Sequence, residues 1–567
     1  MPTIREVQEG GWSVRLDMGG QVLSVESPDD ADVTDSLLPT LPPTNGGAVS
    51  AAALLLKAKQ FDDGLMAAVE LAAHHGLGPF QGKAALLRAL AANLADPFDE
   101  AERNAASIVF AAYELGGIPV PTPPTLLADA RALTEQFLGD EGRSKPIGFY
   151  PWTPELTAIF RQDRLLQGEL PATTAAAFRR ALDRISEGWD SYDRCLRLAG
   201  RMTNPLTMHG LREEGDHRAF FPPSRTRETV LFDRMFGDRT VPEGFDLMAE
   251  LIRRIRKGGA NPVPTDDAGW YEHQTWSLEP LVIPDRMAES ARLDLGKNYR
   301  RHLEDLFRGA LALARETHAK AMAGGRGGYG GPTRPPIWVY PSLTVEPLPS
   351  MYRRRAACYR FVRSVLADSF GTDTLCQLHR LMPDGKSEML LSEELTWMEQ
   401  LFDGAAATAH RELGMGSTSE SDRASRVFAD WSRKLAADAD VSRDTRMMVP
   451  VFFDQGRRKI KVWAVLGWRT IAVRVTYRVH PQVLDVVPTR STESDGGDRL
   501  AQLRKKFRKS AEPPASGPPD VLFGGETHPF AVPVMAEVYV TRILDRDEFR
   551  RHCDRFKTRS AILANLR

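Results

Sequence analysis

Helical periodicity governs the chain from residue 47 to about residue 330. Apolar residues recur every three or four positions there, as in SAAALLLKAKQFDDGLMAAVELAAHHG and DEAERNAASIVFAAYELGG, a spacing that gathers them on one helix face. Several of these segments end at glycine, as helix C-termini commonly do. Thr153, Pro154 and Glu155 begin another helix, because a capping hydroxyl, a proline at the first position and an early carboxylate each favour a helix start.

A different period begins at about residue 445. The apolar repeat shortens from about 3.6 to about 2 residues in MMVPVFFD, RKIKVWAVLG and RTIAVRVTYRV, and a last strand, MAEVYVTRIL, precedes a closing helix. The predicted fold class is α-rich α+β: a large multi-helix body with a smaller β-rich C-terminal module. We expect an N-terminal β-hairpin and linker at 1–46, the helical body at 47–335, a second helical segment packed on the first at 336–444, and the β-rich module at 445–567 with a mobile insertion near 488–520.

Charge composition limits the functional classes. The 567 residues include 74 lysines and arginines and 75 aspartates and glutamates, for a formal net charge of −1. This balance argues against a general polyanion binder, because such binding depends on neutralising many phosphates. The run LRKKFRKS and the arginines after Tyr352 are the basic candidates for nucleic acid, but aromatic residues do not alternate with them as stacking platforms would require. We interpret both as solvated faces.

Cysteine usage and the N-terminus indicate a compartment. Four scattered cysteines, none spaced as C-x-x-C, favour free buried thiols in a reducing environment. The opening MPTIREVQEGGWSV lacks the apolar core of a signal peptide, and no run of about 18 apolar residues occurs. We expect a cytoplasmic protein that does not cross a membrane.

Four segments resemble the bacterial DUF3160 family of domains of unknown function. FFPPSRTRETVLFDRMFGDRTVPEGFDLMAEL at 220–251 resembles a family segment that ends in an Arg-x-x-Pro-x-Gly-x-Asp-Val-Met run, and TVEPLPSMYRRRA resembles its V-E-P-x-P-x-x-Y signature. ELTAIFRQDRLL is similar to its L-x-x-Y-F-R-A-M-M-W element, and MAEVYVTRILDRDEF to its final strand. Where the family usually carries R-H-D-T, this chain has RETHAKAM, and family members are often exported. The resemblance, over roughly residues 146–549, implies an architecture and supplies no catalytic residues.

Two histidines and two glutamates form the first candidate site. His318 lies near the edge of the apolar stripe of a helix predicted over about 297–323, so we expect its imidazole to be at least half buried. With His273, Glu279 and Glu346 it would supply the imidazole and carboxylate ligands that Zn, Fe or Mn accept. No H-E-x-x-H spacing ties these residues together. The alternative is that both histidines bond backbone carbonyls in a polar core and Glu346 caps the helix that follows it.

A second candidate pair and a glycine-rich run lie elsewhere. His528 in GGETHPF and Glu537 in the next strand are candidates for catalytic acid–base work, although a glycine-set turn also explains the position of His528. The run GGRGGYGG at 324–331 resembles a phosphate loop, but a helix precedes it and no G-K-[ST] closes it. A helix C-cap or flexible linker is therefore the prediction for this run.

Three classes of function remain. The first is a soluble helical protein that binds a peptide or protein partner in a groove. The second is a metal-dependent enzyme that uses the His/Glu site, and the third, which ranks last, is a nucleic-acid binder. The sequence leaves open whether the chain is an enzyme.

Overall fold

The structure of the chain is a computed structural model. It describes residues 4–9, 12–17, 22–26, 32–38, 48–119, 121–206, 210–212, 218–236, 241–242, 244–321, 343–415, 421–454, 456–479 and 521–566. The glycine-rich run and the predicted insertion near 488–520 lie outside these residues. Among the described helices, none combines the length and the apolar character needed to cross a membrane.

Helices make up most of the described residues, which confirms the α-rich α+β class. The first part of the body contains α1 (Ala51–His75), α2 (Lys83–Leu94), α3 (Glu100–Leu115), α4 (Leu127–Gly139), α5 (Glu141–Ser144), α6 (Pro154–Leu166), α7 (Ala172–Asp183), α8 (Gly188–Met202) and α9 (Arg227–Met235). It continues with α10 (Leu247–Lys257), α11 (Trp270–Ser277), α12 (Glu279–Val282), α13 (Lys297–Thr317), α14 (Pro349–Phe370), α15 (Thr372–Leu375), α16 (Leu391–Glu412) and α17 (Ser421–Arg433).

Helix α1 lies in the interior of this body. It is buried on nearly every side, whereas a surface helix buries only one stripe. Helices α2, α6, α13 and α16 pack around it. The predicted start of α6 is confirmed, because the Thr153 hydroxyl accepts a hydrogen bond from the Leu156 amide at 3.1 Å.

The predicted N-terminal hairpin is confirmed and has a third strand. Strands β1 (Ile4–Glu9), β2 (Trp12–Asp17) and β3 (Val22–Glu26) form an antiparallel sheet in chain order. A separate two-stranded antiparallel sheet, formed by β5 (His379–Met382) and β6 (Gly385–Leu390), precedes α16.

The β-rich module after residue 445 contains long antiparallel strands. Strands β7 (Met447–Asp454) and β9 (Val521–Val540) pair with opposite edges of β8 (Lys459–Val479), and the short β4 (Leu293–Asp294) of the helical body also pairs with β8. The sequence predicted two strands where β8 is continuous. An irregularity between Val465 and Gly467 interrupts its register, and Gly467 has a φ of +141°, a conformation that favours glycine.

The C-terminal sheet is buried on both faces. Alternate side chains such as Val449 and Trp463 join the main core under the helices, whereas Met448 and Val462 face a smaller core. Two helices, α18 (Arg546–Phe556) and α19 (Arg559–Leu566), cover that smaller core. The sequence predicted one closing helix, but that helix is interrupted at Lys557, whose φ is +54°.

Candidate functional site

Buried charged residues lie along α1. Lys59, Asp62, Asp63 and Glu70 are each at least nine-tenths buried and lie three, four or seven residues from a neighbour in the set, which places them along one side of the helix. Each is paired with charged residues from distant parts of the chain. The prediction for this segment depended only on its apolar period. Charges inside an otherwise apolar helix were the signal it missed.

One group of these residues contains the predicted ligand His318. Asp62 accepts hydrogen bonds from Arg355, from the Tyr359 hydroxyl at 3.1 Å and from the Gln274 amide at 2.9 Å. The Gln274 carbonyl oxygen lies 2.8 Å from His318 Nε2. Because an amide oxygen only accepts, the imidazole donates a proton from Nε2 in this hydrogen bond. Burial, followed by the charges of Lys59 and Arg355, lowers the pKa of His318 to about 3.

The same group contains an acidic residue with a raised pKa. Burial raises the pKa of Asp62 to about 6, and Arg355 offsets only part of that effect. His318 lies edge-on to the rings of Trp270 and Tyr271, each with its centroid 5.4 Å away. His318 is therefore buried as predicted, in a polar core, with a side-chain amide as its hydrogen-bond partner.

A second group is a four-membered ring of ion pairs, which we call the Lys/Asp tetrad: Glu70, Lys83, Asp163 and Lys320. Lys320 Nζ lies 2.6 Å from Glu70 and 2.7 Å from Asp163, and Lys83 contacts the same two carboxylates. Burial alone would raise the pKa of Asp163, but Lys320 and Lys83 outweigh it and hold that pKa well below its ordinary value. All four residues are at least nine-tenths buried.

The buried groups balance in charge. The five cations Lys59, Lys83, Lys320, Arg355 and Arg546 contact the five anions Asp62, Asp63, Glu70, Asp163 and Glu316. The set therefore has no net charge to attract an ionic ligand. Burial also raises the pKa of the nearby Cys195 thiol to about 12, so it is not a thiolate nucleophile at neutral pH. We interpret these groups as fixing how the helices pack.

The structure does not bring the four predicted metal ligands together. Glu346 contacts a different histidine, because its Oε1 lies 2.7 Å from His302 Nε2 while its Oε2 accepts from the Ala51 amide at 2.9 Å. His273 stacks on Phe361 with ring centroids 3.9 Å apart. Glu279 forms an ion pair with Arg354. Within the described ranges, no cluster of three or more His, Cys, Asp or Glu side chains is placed to hold a metal ion.

His302 is the partner of Glu346, and it is not among the residues predicted for the site. It lies on the buried face of α13, four residues before Leu306 and eleven before Leu313, so helical spacing could have identified it. Its ring stacks between Tyr299 and Phe530, with centroids 5.8 and 5.4 Å away. The alternative prediction, that Glu346 caps the helix that follows it, is wrong, because its carboxylate contacts His302 and the Ala51 amide instead.

The predicted catalytic pair is also separated. His528 lies in β9 opposite Val473 with its ring stacked on Phe530, so the turn expected there is wrong. Glu537 lies nine residues further along the same strand, which corresponds to roughly 30 Å. Its carboxylate accepts from the Leu247 amide at 2.8 Å and from Trp463 Nε1 at 3.0 Å. Glu537 therefore binds the N-terminus of α10 and does not act on His528.

A large open cleft lies beside Glu537, and we call it the arginine-rich cleft. It has a volume of about 1190 Å³ and lies between α10, α12, α13 and β9, with one side chain each from β8 and α19. Apolar residues of 281–284 and 533–536, all buried except the half-buried Met535, form its floor. Its charged lining residues are the basic Arg256, Arg286, Lys297, Arg300, Arg301, Arg308, Arg469 and Arg559 and the acidic Asp246, Asp285, Glu304, Asp305 and Glu537.

Several of these charges pair within the cleft. Arg256 lies 3.1 Å from Glu304, Arg300 binds Asp285 through two nitrogens at 2.5 and 2.7 Å, and Arg308 lies 3.1 Å from Asp246. Basic residues outnumber acidic ones by eight to five in the described lining. The cleft therefore has an excess of three positive charges, unlike the buried groups near α1.

Comparison with known proteins gives no further information about this site. No family model matches the chain, and neither the curated proteins nor the solved structures gave a match. The resemblance to DUF3160 stays a prediction.

Proposed function

We propose that this chain binds an acidic segment of a peptide or protein partner in the arginine-rich cleft. The observation that carries the proposal is the combination of net positive lining and buried apolar floor in one concave surface. Small-molecule sites usually enclose about 300–1,000 Å³, and this cleft, at about 1190 Å³, is larger. Its size and openness favour a segment of polypeptide.

The chemistry of the lining favours peptide over nucleic acid. Single-stranded nucleic acids are held by aromatic side chains on which bases stack. Among the described lining residues none is aromatic, so the cleft offers no platform on which bases could stack. A peptide that alternates acidic and apolar residues would satisfy both the arginines at the rim and the apolar floor.

Charge reversal at the rim tests this proposal. Arg286, Lys297 and Arg559 are exposed, so the triple variant R286E/K297E/R559E should fold normally. We expect it to weaken binding of a fluorescein-labelled peptide of repeating Glu-Leu pairs by roughly ten- to a hundredfold, since each exposed ion pair contributes about 0.2–1 kcal/mol. The measurement is fluorescence anisotropy at low and high salt, where added salt should weaken binding to the unchanged protein.

A matched variant controls for net charge. The substitutions R353E/K386E/R423E change the same residue types at exposed positions outside the cleft lining. We expect this variant to bind the Glu-Leu peptide as the unchanged protein does. Equal losses in both triple variants, or tighter binding of a single-stranded oligonucleotide than of the peptide, would contradict the proposal.

A further inference from the structure

The strand that lines the arginine-rich cleft has an open edge. Strand β9 pairs with β8 along one edge, and no other described strand pairs with it. Five consecutive residues of β9, 533–537, line the cleft. Because successive side chains of a strand point to opposite faces of the sheet, the feature that all five residues can present to the cleft is the edge of the strand.

The hydrogen bonds of Trp468 on β8 show which main-chain groups point to this edge. Its N–H and C=O both bond to Thr34, at 2.9 and 3.0 Å, so they point away from β9. Trp468 lies opposite Pro533, and these two residues therefore form a pair that exchanges no hydrogen bond. The main-chain groups of Pro533 point to the open edge, which is where a strand tolerates a proline.

Every second residue after Pro533 has the same orientation. The pairing with β8 includes each residue of β9 from Pro533 to Val540, so the N–H and C=O groups of Met535 and Glu537 also point to the open edge. Among the residues that the structure describes, none hydrogen-bonds to these four main-chain groups. Met535 and Glu537 are half-buried and line the open cleft. The cleft therefore offers a short row of main-chain donors and acceptors to a partner.

We propose that the partner segment binds as an added β-strand along the open edge of β9; this inference rests on the proposed function of the cleft. Main-chain hydrogen bonds to a free strand edge hold a peptide in an extended conformation, and its alternate side chains give specificity. A strand directs alternate side chains to opposite faces. A peptide that alternates acidic and apolar residues would thus place its carboxylates on one face and its apolar side chains on the other.

A pair of substitutions at Met535 tests the edge in the protein. M535P removes one outward N–H and leaves the pairing with β8 intact, as Pro533 already does. M535A also loses the methionine side chain but keeps the N–H. We expect M535P to bind the Glu-Leu peptide roughly two- to tenfold more weakly than M535A, because one main-chain hydrogen bond is lost. Thermal unfolding by circular dichroism verifies that both variants keep the fold.

N-methylated peptides test the same inference without changing the protein. Only every second N–H of a strand faces its neighbour, so one peptide is methylated at all leucine amides and another at all glutamate amides. We expect one pattern to weaken binding roughly tenfold or more and the other to bind within about twofold of the unmodified peptide. Equal binding of the two methylated peptides, or equal binding by M535P and M535A, would overturn the strand inference while the cleft proposal stands. If the unmodified peptide does not bind, both fail.

Discussion

Replacing Asp163 by alanine is expected to lower the free energy of unfolding by about 3–5 kcal/mol, because removing one partner of a buried ion pair leaves a charge uncompensated. In the Lys/Asp tetrad that substitution leaves Lys83 and Lys320 with Glu70 as the only carboxylate, and both lysines are at least nine-tenths buried. The midpoint of urea unfolding, followed by circular dichroism, measures the change.

Two variants isolate the cause. D129A removes an exposed carboxylate paired with Arg103 and should cost only about 0–1 kcal/mol. The double variant K83M/D163L removes one cation and one anion together, leaves Glu70 paired with Lys320, and should recover most of the stability lost in D163A. A loss in D163A no larger than that in D129A would contradict the assignment of the tetrad as a structural element.

The pH dependence of stability is expected to change in opposite directions when His318 and Asp62 are replaced. The pKa of His318 is lowered from 6.5 to about 3, so between these values the unfolded chain binds a proton that the folded chain does not, and acidification destabilises the fold. The pKa of Asp62 is raised from 3.8 to about 6, so in that window the folded chain binds the extra proton and acidification stabilises it.

Unfolding free energies measured between pH 6.5 and 4 test both signs. Each group contributes up to about 1.4 kcal/mol per pH unit within its window. H318Q should therefore flatten the loss of stability on acidification by about that amount, and D62N should steepen it by a similar amount between pH 6 and 4. Changes of the same sign in both variants would show that these two groups do not titrate as their surroundings require.

Local patterns predicted most of the fold. The cap at Thr153, the change of period near residue 445 and the hairpin of β2 and β3 all depend on neighbours within a few residues, and each was confirmed. The errors at β8 and at the closing helix arose because a register irregularity at Gly467 and a positive φ at Lys557 have little local signature.

The candidate sites depended on residues far apart in the sequence. The burial of His318 followed from its helix, but its contact with Gln274 spans 44 positions and the pairing of Asp62 with Arg355 spans 293. Spacing within one segment cannot specify such pairs, because they depend on how helices pack. The arginine-rich cleft likewise combines residues from α10, α12, α13, β8, β9 and α19, and no single segment indicates it.

The most direct test of the cleft proposal is hydrogen–deuterium exchange with and without the Glu-Leu peptide. Binding in the arginine-rich cleft predicts slower amide exchange in residues 281–286, 295–308 and 533–537 when peptide is added, with no change at α16 and α17, which lie outside the cleft lining. Protection confined to other segments, or none at peptide concentrations that saturate binding, would show that the partner binds elsewhere.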